Sequence, residues 1–162
     1  TGQPKEVFAI MNYAVDDNER PIFYKKVVET VVHEFCHSFT KIKGDTEKAL
    51  EKSGKALQEY TYFSMRRQAY STWRNILEES LVRAATICYL IDHDYDEKDI
   101  RNAIIEQVDR NFFWMPELVQ TLRYYESHRK KYPTFTSFYP EIIRFFDRYV
   151  ADVEKEIQKA LK

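Results

Sequence analysis

Glycine and proline are scarce in this chain, and their scarcity restricts the folds it can adopt more than any other feature. Its 162 residues include three glycines and five prolines, so few positions interrupt a regular backbone. The long stretches between them are rich in Glu, Lys, Arg, Leu and Ala, the residues that favour helices. The sequence therefore predicts a mainly α-helical protein.

The expected exception is one strand at the start of the chain. Residues Glu6 to Val15, "EVFAIMNYAV", combine β-branched and aromatic residues and lead into the turn-like "DDNERP". The rest of the chain divides into helices by its apolar periodicity and its capping residues. Helices are predicted over Phe23 to Thr40, over Ser71 to Ile91, and from starts at Asp96, near Pro116 and near Pro140. A charged, exposed helix is predicted over Asp45 to Arg67, with Asp45 as the cap.

Length and charge predict the class of protein. A chain of 162 residues with 44% hydrophobic residues is expected to form one domain, residues 1–162. Lys plus Arg number 25 against 26 for Asp plus Glu, so no net field would attract a polyanion. Nucleic acid is therefore not an expected partner.

Targeting and redox features are sparse. The sequence has no apolar run long enough for a transmembrane helix and no recognisable leader, and it begins at Thr1, which fits a processed or trimmed chain. The two cysteines, Cys36 and Cys88, form no CxxC pair. They predict neither a disulfide framework nor a cysteine-only zinc site.

The chemistry is concentrated in "TVVHEFCHSF", residues 30–39, which contains an HExxH motif. Residues four apart share one face of a helix, so His33 and His37 can present ring nitrogens to one ion. Glu34 would lie beside that ion without ligating it. Zinc held in this way makes its bound water more acidic, and a neighbouring carboxylate can take the proton as the water attacks a carbonyl. Cys36 points away from the two histidines and is predicted to be a small buried residue.

A third protein ligand is required, and a glutamate is the preferred type. The pattern HExxHxxGxxH fails because Thr40 and Lys43 stand where glycine and histidine are needed. His93 and His128 lie in charged stretches that predict surface positions. In "NILEESLVRAATICYL", Glu79 has Arg83 four residues later to orient its carboxylate, whereas Glu78 has Val82. Glu79 is therefore the preferred ligand, with Glu78 as the alternative.

The chain resembles gluzincin-type metallopeptidases and, more closely, the bacterial DUF4932 family of zinc-peptidase-like proteins. The resemblance is carried by "TVVHEFCHSF" followed by "EESLVRA", and it extends from about residue 5 into the last helix. It implies a zincin-like α+β fold, one zinc ion bound by His33, His37 and Glu79, and Glu34 as the general base. It also implies a peptide or protein substrate and export to the periplasm or the cell exterior.

Two features depart from that pattern. Better-known gluzincins often place an acidic residue four positions after the ligand glutamate, where this chain has Arg83. A zincin also has a small sheet before its first histidine helix, and only residues 6–15 offer a strand here.

Tyr70, just before the second ligand helix, is a candidate to stabilise an oxyanion, although a packing role is the preferred interpretation.

Three functions follow from these observations. The leading hypothesis is a zinc-dependent peptidase. The alternative is a catalytically inactive zincin-like module that binds a metal or a peptide, as the short sheet would favour. The third is a helical interaction protein in which the motif is accidental.

The aromatic residues after residue 110 are predicted to form part of the hydrophobic core, not a cage for a ligand.

Overall fold

A computed structural model of the chain describes Phe8 and residues 14–162. Helices dominate this part of the molecule, which confirms the mainly α-helical prediction. Most of the strand predicted over residues 6–15 lies outside the described residues. The elements are β1 (Ala14–Val15), β2 (Pro21–Ile22), α1 (Lys25–Cys36), α2 (Asp45–Tyr60), α3 (Tyr62–Arg67), α4 (Trp73–Asp92), α5 (Glu97–Asp109), α6 (Met115–Ser127) and α7 (Phe135–Ala160).

The two strands form a small antiparallel hairpin just before α1. Ala14 lies opposite Ile22. The side chain of Asp16 closes the turn, because its Oδ1 accepts hydrogen bonds of 2.9 Å from the backbone N–H groups of both Asn18 and Arg20. The hairpin leads the chain directly into the helix that carries the HExxH motif.

Helix α4 is the central element of the fold. It packs against α1, α2, α5 and α6, while α7 packs against α2 and α6. Thr72 caps its start by accepting a hydrogen bond from the backbone N–H of Asn75. Helix α2 approaches α4 closely at Gly54, where an added Cβ would lie 2.5 Å from the ring of Trp73. The predicted third helix is confirmed, and ten of its residues are buried.

The core is rich in aromatic side chains from the second half of the chain. The Nε1 group of Trp114 donates a hydrogen bond of 2.9 Å to Ser80 in α4. The aromatic prediction is thus confirmed for most of that set, although Phe113 and Tyr124 are exposed. The largest fully buried aromatic residues are Trp114, Phe112, Phe138 and Phe146.

The first helix ends earlier than the sequence predicts. Helix α1 stops at Cys36, not at Thr40, and two turn-type bonds follow it, from the N–H of Ser38 to the carbonyl of Phe35 and from Phe39 to Cys36. The hydroxyl of Thr40 donates to the carbonyl of Cys36 at 3.2 Å. In a continuing helix the carbonyl of Cys36 would accept the backbone N–H of Thr40, but here it accepts the side-chain hydroxyl of that residue.

The prediction of one exposed helix from Asp45 to Arg67 is wrong in three respects. The chain breaks at Thr61, whose backbone (φ −114°, ψ 14°) leaves the helical range, so two helices form. Gly44, with φ of 64°, occupies the capping position in place of Asp45. Helix α2 also buries one face, which includes Leu50 and Leu57, because it packs against α4 and α7.

The later helix starts are partly as predicted. Helix α5 begins after Asp96, although the Asp96 side chain makes no capping hydrogen bond, and Pro116 lies in the first turn of α6. Helix α7 begins at Phe135, so the predicted start near Pro140 is wrong. Thr134 and Ser137 form a reciprocal capping box there, and the proline is accommodated inside the helix.

Membrane insertion by a helix is not supported for this part of the chain. None of the helices in the described ranges combines the length and apolar composition that a span requires.

Candidate metal centre

His33 in α1, His37 in the capping position directly after α1, and Glu79 in α4 converge on a single point. The Nε2 atom of His33 lies 3.5 Å from Oε1 of Glu79, and the Nε2 atom of His37 lies 3.7 Å from Oε2 of the same carboxylate. One ligand atom from each of the three residues falls within 4.8 Å of the others. The structure therefore brings together the three residues that the sequence nominated as metal ligands.

The donor set and spacing fit a tetrahedral zinc ion. Ligand atoms about 2.0–2.1 Å from such an ion are separated by about 3.3 Å, close to the two nitrogen–oxygen distances. The Glu79 side chain is 9% exposed, whereas those of His33 and His37 are 23% and 32% exposed. Three protein ligands with one accessible side are typical of catalytic zinc sites.

The protonation of His33 favours metal binding. Burial lowers the pKa of His33 below its ordinary value, and the nearby Arg83 and His37 lower it further, against the opposing attraction of Glu79 and Glu34. A lowered pKa keeps the imidazole neutral at neutral pH. Only the neutral ring has a lone pair for a metal.

Arg83 pairs with the carboxylate of Glu79. Its Nε atom lies 2.8 Å from Oε1 of Glu79, so the two side chains form an ion pair. The Nε–H group makes no hydrogen bond to a described residue. The other nitrogens of Arg83 donate to Gln107 at 2.5 Å and to the hydroxyl of Tyr70 at 3.1 Å. The guanidinium also lies 5.1 Å from the ring centre of Phe112. The orienting role predicted for Arg83 is supported by this geometry.

Gln107 is a member of this network that the sequence analysis missed. It is buried in α5, and its amide also donates to the carbonyl of Ala103 at 3.3 Å. A signal for it was present, because Gln107 falls on the same helical face as Ile100, Ala103 and Ile104, which pack against the core. A polar residue on such an apolar face requires a partner.

Glu78 has a different task from its neighbour. Its Oε1 accepts a hydrogen bond of 2.8 Å from the backbone N–H of Ile42, and its Oε2 lies 3.4 Å from the ammonium of Lys41. Glu78 has Val82 four residues later, as the sequence analysis noted, but it finds partners that are distant in sequence. Its carboxylate fastens the segment that follows α1, where the hydroxyl of Tyr139 also donates to the carbonyl of Lys41. This geometry favours Glu79 over Glu78 as the third ligand.

Glu34 lines a cleft beside the cluster. The cleft has a volume of about 300 Å³, runs between α1 and α5 above α4, and is lined at one end by His33, Glu34 and Arg83. Glu34 is exposed, and no described residue forms an ion pair or hydrogen bond with its carboxylate. An unpaired carboxylate beside the His33 imidazole is free to exchange protons with a molecule bound in the cleft.

The remaining predicted residues lie outside the cluster. Cys36 is partly buried rather than buried, and it contributes no ligand atom. His93 and His128 are exposed at the ends of α4 and α6, as predicted. Tyr70 reaches the site only through Arg83. Burial raises the pKa of Tyr70, so its hydroxyl keeps its proton at neutral pH.

Fold and site together define a mainly helical protein with a histidine, histidine and glutamate cluster at the edge of a cleft. The model of a domain of unknown function, DUF4932, matches residues 4–145. The chain belongs to this family, as its resemblance predicted. No curated protein and no solved structure matches it.

Proposed function

We propose that this protein is a zinc-dependent peptidase. The observation that carries the proposal is the convergence of His33, His37 and Glu79 on one point, with Glu34 beside it on a cleft. Structural zinc sites usually enclose the ion with four protein ligands. Three ligands with a free carboxylate and an open cleft fit a catalytic site better.

Each residue has a distinct role in this proposal. When bound, zinc polarises the carbonyl of the scissile peptide bond and makes water a stronger acid. Glu34 accepts a proton from the attacking water and delivers it to the amine nitrogen as the carbon–nitrogen bond breaks. The two histidines and Glu79 supply the donor atoms, and Arg83 keeps the Glu79 carboxylate directed at the histidines.

The experiment pairs metal analysis with one isosteric substitution. Purified protein should bind one zinc ion per chain and cleave members of a mixed peptide library. Glu34→Gln should keep the zinc but lower kcat by at least about a hundredfold, the range expected for loss of a general base. Glu59→Gln, an exposed glutamate on α2, is the matched control and should leave cleavage unchanged. Undiminished cleavage by Glu34→Gln would exclude the mechanism.

The second candidate is a module that binds a metal or a peptide without catalysis. It is favoured by the strands of the described residues, which are two residues long and give an extended substrate little edge to pair with. Full zinc occupancy without cleavage anywhere in the library would select this alternative. Failure to bind zinc would exclude the peptidase and the zinc-binding form of this alternative, and would leave peptide binding alone.

A further inference from the structure

The guanidinium of Arg83 is held from three sides inside the protein. Its side chain is 12% exposed. Its partners are Glu79 in the same helix, Gln107 in α5 and Tyr70 before α4. A long side chain has many rotamers, so a pairing with a carboxylate four residues away fixes its direction only weakly. The direction of this guanidinium therefore depends on partners outside α4.

Gln107 supplies the contact from α5, and its amide fits there in one orientation. Its Oε1 accepts a hydrogen bond of 2.5 Å from Arg83, and its Nε2 group donates to the carbonyl of Ala103 at 3.3 Å. The reverse orientation would set N–H groups against the guanidinium and an oxygen against the carbonyl of Ala103. Gln107 is 8% exposed, so water has little access to replace either partner. The protein thus presents a fixed acceptor to Arg83.

Gln107 lies at a position where the helix pattern favours an apolar residue. Ile100, Ala103 and Ile104 share its face of α5 and pack against the core. A buried amide at such a position is unfavourable unless its groups are hydrogen-bonded. One of its bonds stays within α5, and the other reaches the arginine that pairs with Glu79. The acceptor for Arg83 is therefore what distinguishes Gln107 from an apolar residue here.

Loss of this acceptor would leave the guanidinium of Arg83 with too few partners. Its Nε–H group already makes no hydrogen bond to a described residue, and the nitrogen that now donates to Gln107 would join it. Because buried donors without partners are unfavourable, the guanidinium would turn toward another acceptor. Glu34 lines the same cleft as Arg83 and has no ion-pair partner among the described residues. A turn toward Glu34 would take the guanidinium away from Glu79.

We propose that Gln107 is a positioning residue for the metal centre. By accepting a hydrogen bond from Arg83, it keeps the guanidinium against the carboxylate of Glu79. That carboxylate then stays directed at the two histidines. The proposal rests on the zinc site of the proposed function, but it does not require catalysis. Helix α5, which contributes no atom to the ligand cluster, thereby sets the affinity of the site for zinc.

The test compares two substitutions that keep the length of the Gln107 side chain. Gln107→Met removes the acceptor, and Gln107→Glu restores one. Zinc affinity is measured on purified, metal-free protein by competition with a fluorescent chelator. Gln107→Met should weaken zinc binding at least about tenfold, the effect expected when an outer partner of a metal ligand is lost. Gln107→Glu should stay within about threefold of the wild type, because its carboxylate can accept from Arg83 at the same place.

Gln68→Met is the matched control. The amide of Gln68 also bonds to the end of α5, since it donates to the carbonyl of Arg110 at 2.9 Å, and its second bond is to the carbonyl of Ser64. The same chemical change at this position should leave zinc affinity unchanged. Urea unfolding of the metal-free proteins measures how far each substitution destabilises the fold. Equal losses of zinc affinity in Gln68→Met and Gln107→Met would reflect a general loosening of α5 and would overturn the proposal.

A double-mutant cycle tests whether Gln107 acts through Arg83. In an Arg83→Met protein the guanidinium is absent, so adding Gln107→Met should weaken zinc binding no further. A purely structural role would give the same loss in both backgrounds, and that result would overturn the proposal. If Arg83→Met does not fold, the comparison of Gln107→Met with Gln107→Glu decides alone. If Gln107→Met does not fold, Gln107→Asn replaces it, because its shorter amide stops short of Arg83.

The peptidase and the positioning role fail in different ways. Zinc affinity unchanged in Gln107→Met, in a protein whose wild type cleaves peptides, would overturn the positioning role and leave the peptidase. A loss of zinc affinity in Gln107→Met that Gln107→Glu restores, in a protein that cleaves nothing, would support the positioning role and remove the peptidase. Failure of the wild type to bind zinc would exclude both.

Discussion

Helices α1 and α4 flank the candidate metal centre, yet they are held in the molecule in opposite ways. Helix α4 has ten buried residues and lies at the centre of the fold, whereas Val27 is the one buried residue of α1. Phe35 and Phe39, at and after the end of α1, are 40% and 70% exposed. The HExxH motif thus lies on a lightly packed helix, and the carboxylate that completes the cluster lies on a deeply buried one.

The largest expected effect is on the free energy of unfolding, which a substitution in α4 should lower more than a substitution in α1. Leu81→Ala in α4 removes a fully buried side chain and should lower the free energy of unfolding by about 2–5 kcal/mol. Val28→Ala in α1, a partly buried position, should cost about 1 kcal/mol or less. Urea unfolding followed by circular dichroism measures both. Equal losses would show that α1 belongs to the core as fully as α4 does.

Zinc should reduce the difference between the helices, because it would join α1 to α4. At free zinc about 100 times its dissociation constant, the folded protein should gain about 2.7 kcal/mol. Amide hydrogen exchange should place much of the added protection in α1. His33→Ala should abolish the gain, while His128→Ala, at the exposed end of α6, should retain it. A zinc-dependent gain that survives in His33→Ala would mean that the metal binds elsewhere.

The neighbouring glutamates of α4 allow a reciprocal test of structure against metal binding. Glu78→Ala leaves the backbone N–H of Ile42 without its partner and should cost about 1–3 kcal/mol of stability, with zinc stoichiometry unchanged. Glu79→Gln should lose zinc, because a neutral amide is a poor zinc ligand. Isothermal titration with zinc and urea unfolding are compared on the same two variants. Loss of zinc in Glu78→Ala alone would reverse their roles.

The sequence predicted the part of the site that depends on local geometry. His33 and His37 share a helix face by their spacing, and Glu79 was selected by its partner Arg83 four residues away. These relations depend only on the helix repeat. The role of Glu78 was missed because its partner, the N–H of Ile42, is distant in sequence and becomes available only after α1 has ended.

The helix ends that were predicted wrongly also depend on features that the local sequence pattern does not show. The hydroxyls of Thr40 and Thr61 bond to the carbonyl four residues earlier at the two breaks, but the hydroxyl of Thr86 makes the same bond inside α4, so this pattern does not identify where a helix ends. For α7, the sequence does contain the capping residues Thr134 and Ser137, but proline was given more weight as a start signal. The fold class was predicted because it depends on composition and periodicity summed over many residues.

The smallest expected effect concerns the only charge pairs that join α1 to α5 in the described part of the chain. Lys25 and Asp99 lie 3.4 Å apart with side chains 61% and 45% exposed, and the contact between Lys26 and Glu106 is longer. Lys25→Ala should therefore cost no more than about 1 kcal/mol, and the loss should disappear at about 1 M salt, where charges are screened within about 3 Å. Lys98→Ala, an exposed lysine of α5 that forms no ion pair with a described residue, is the control. A larger loss that persists in high salt would show that α1 is held by α5 as firmly as by α4. The contrast between the lightly packed α1 and the deeply buried α4 would then no longer hold.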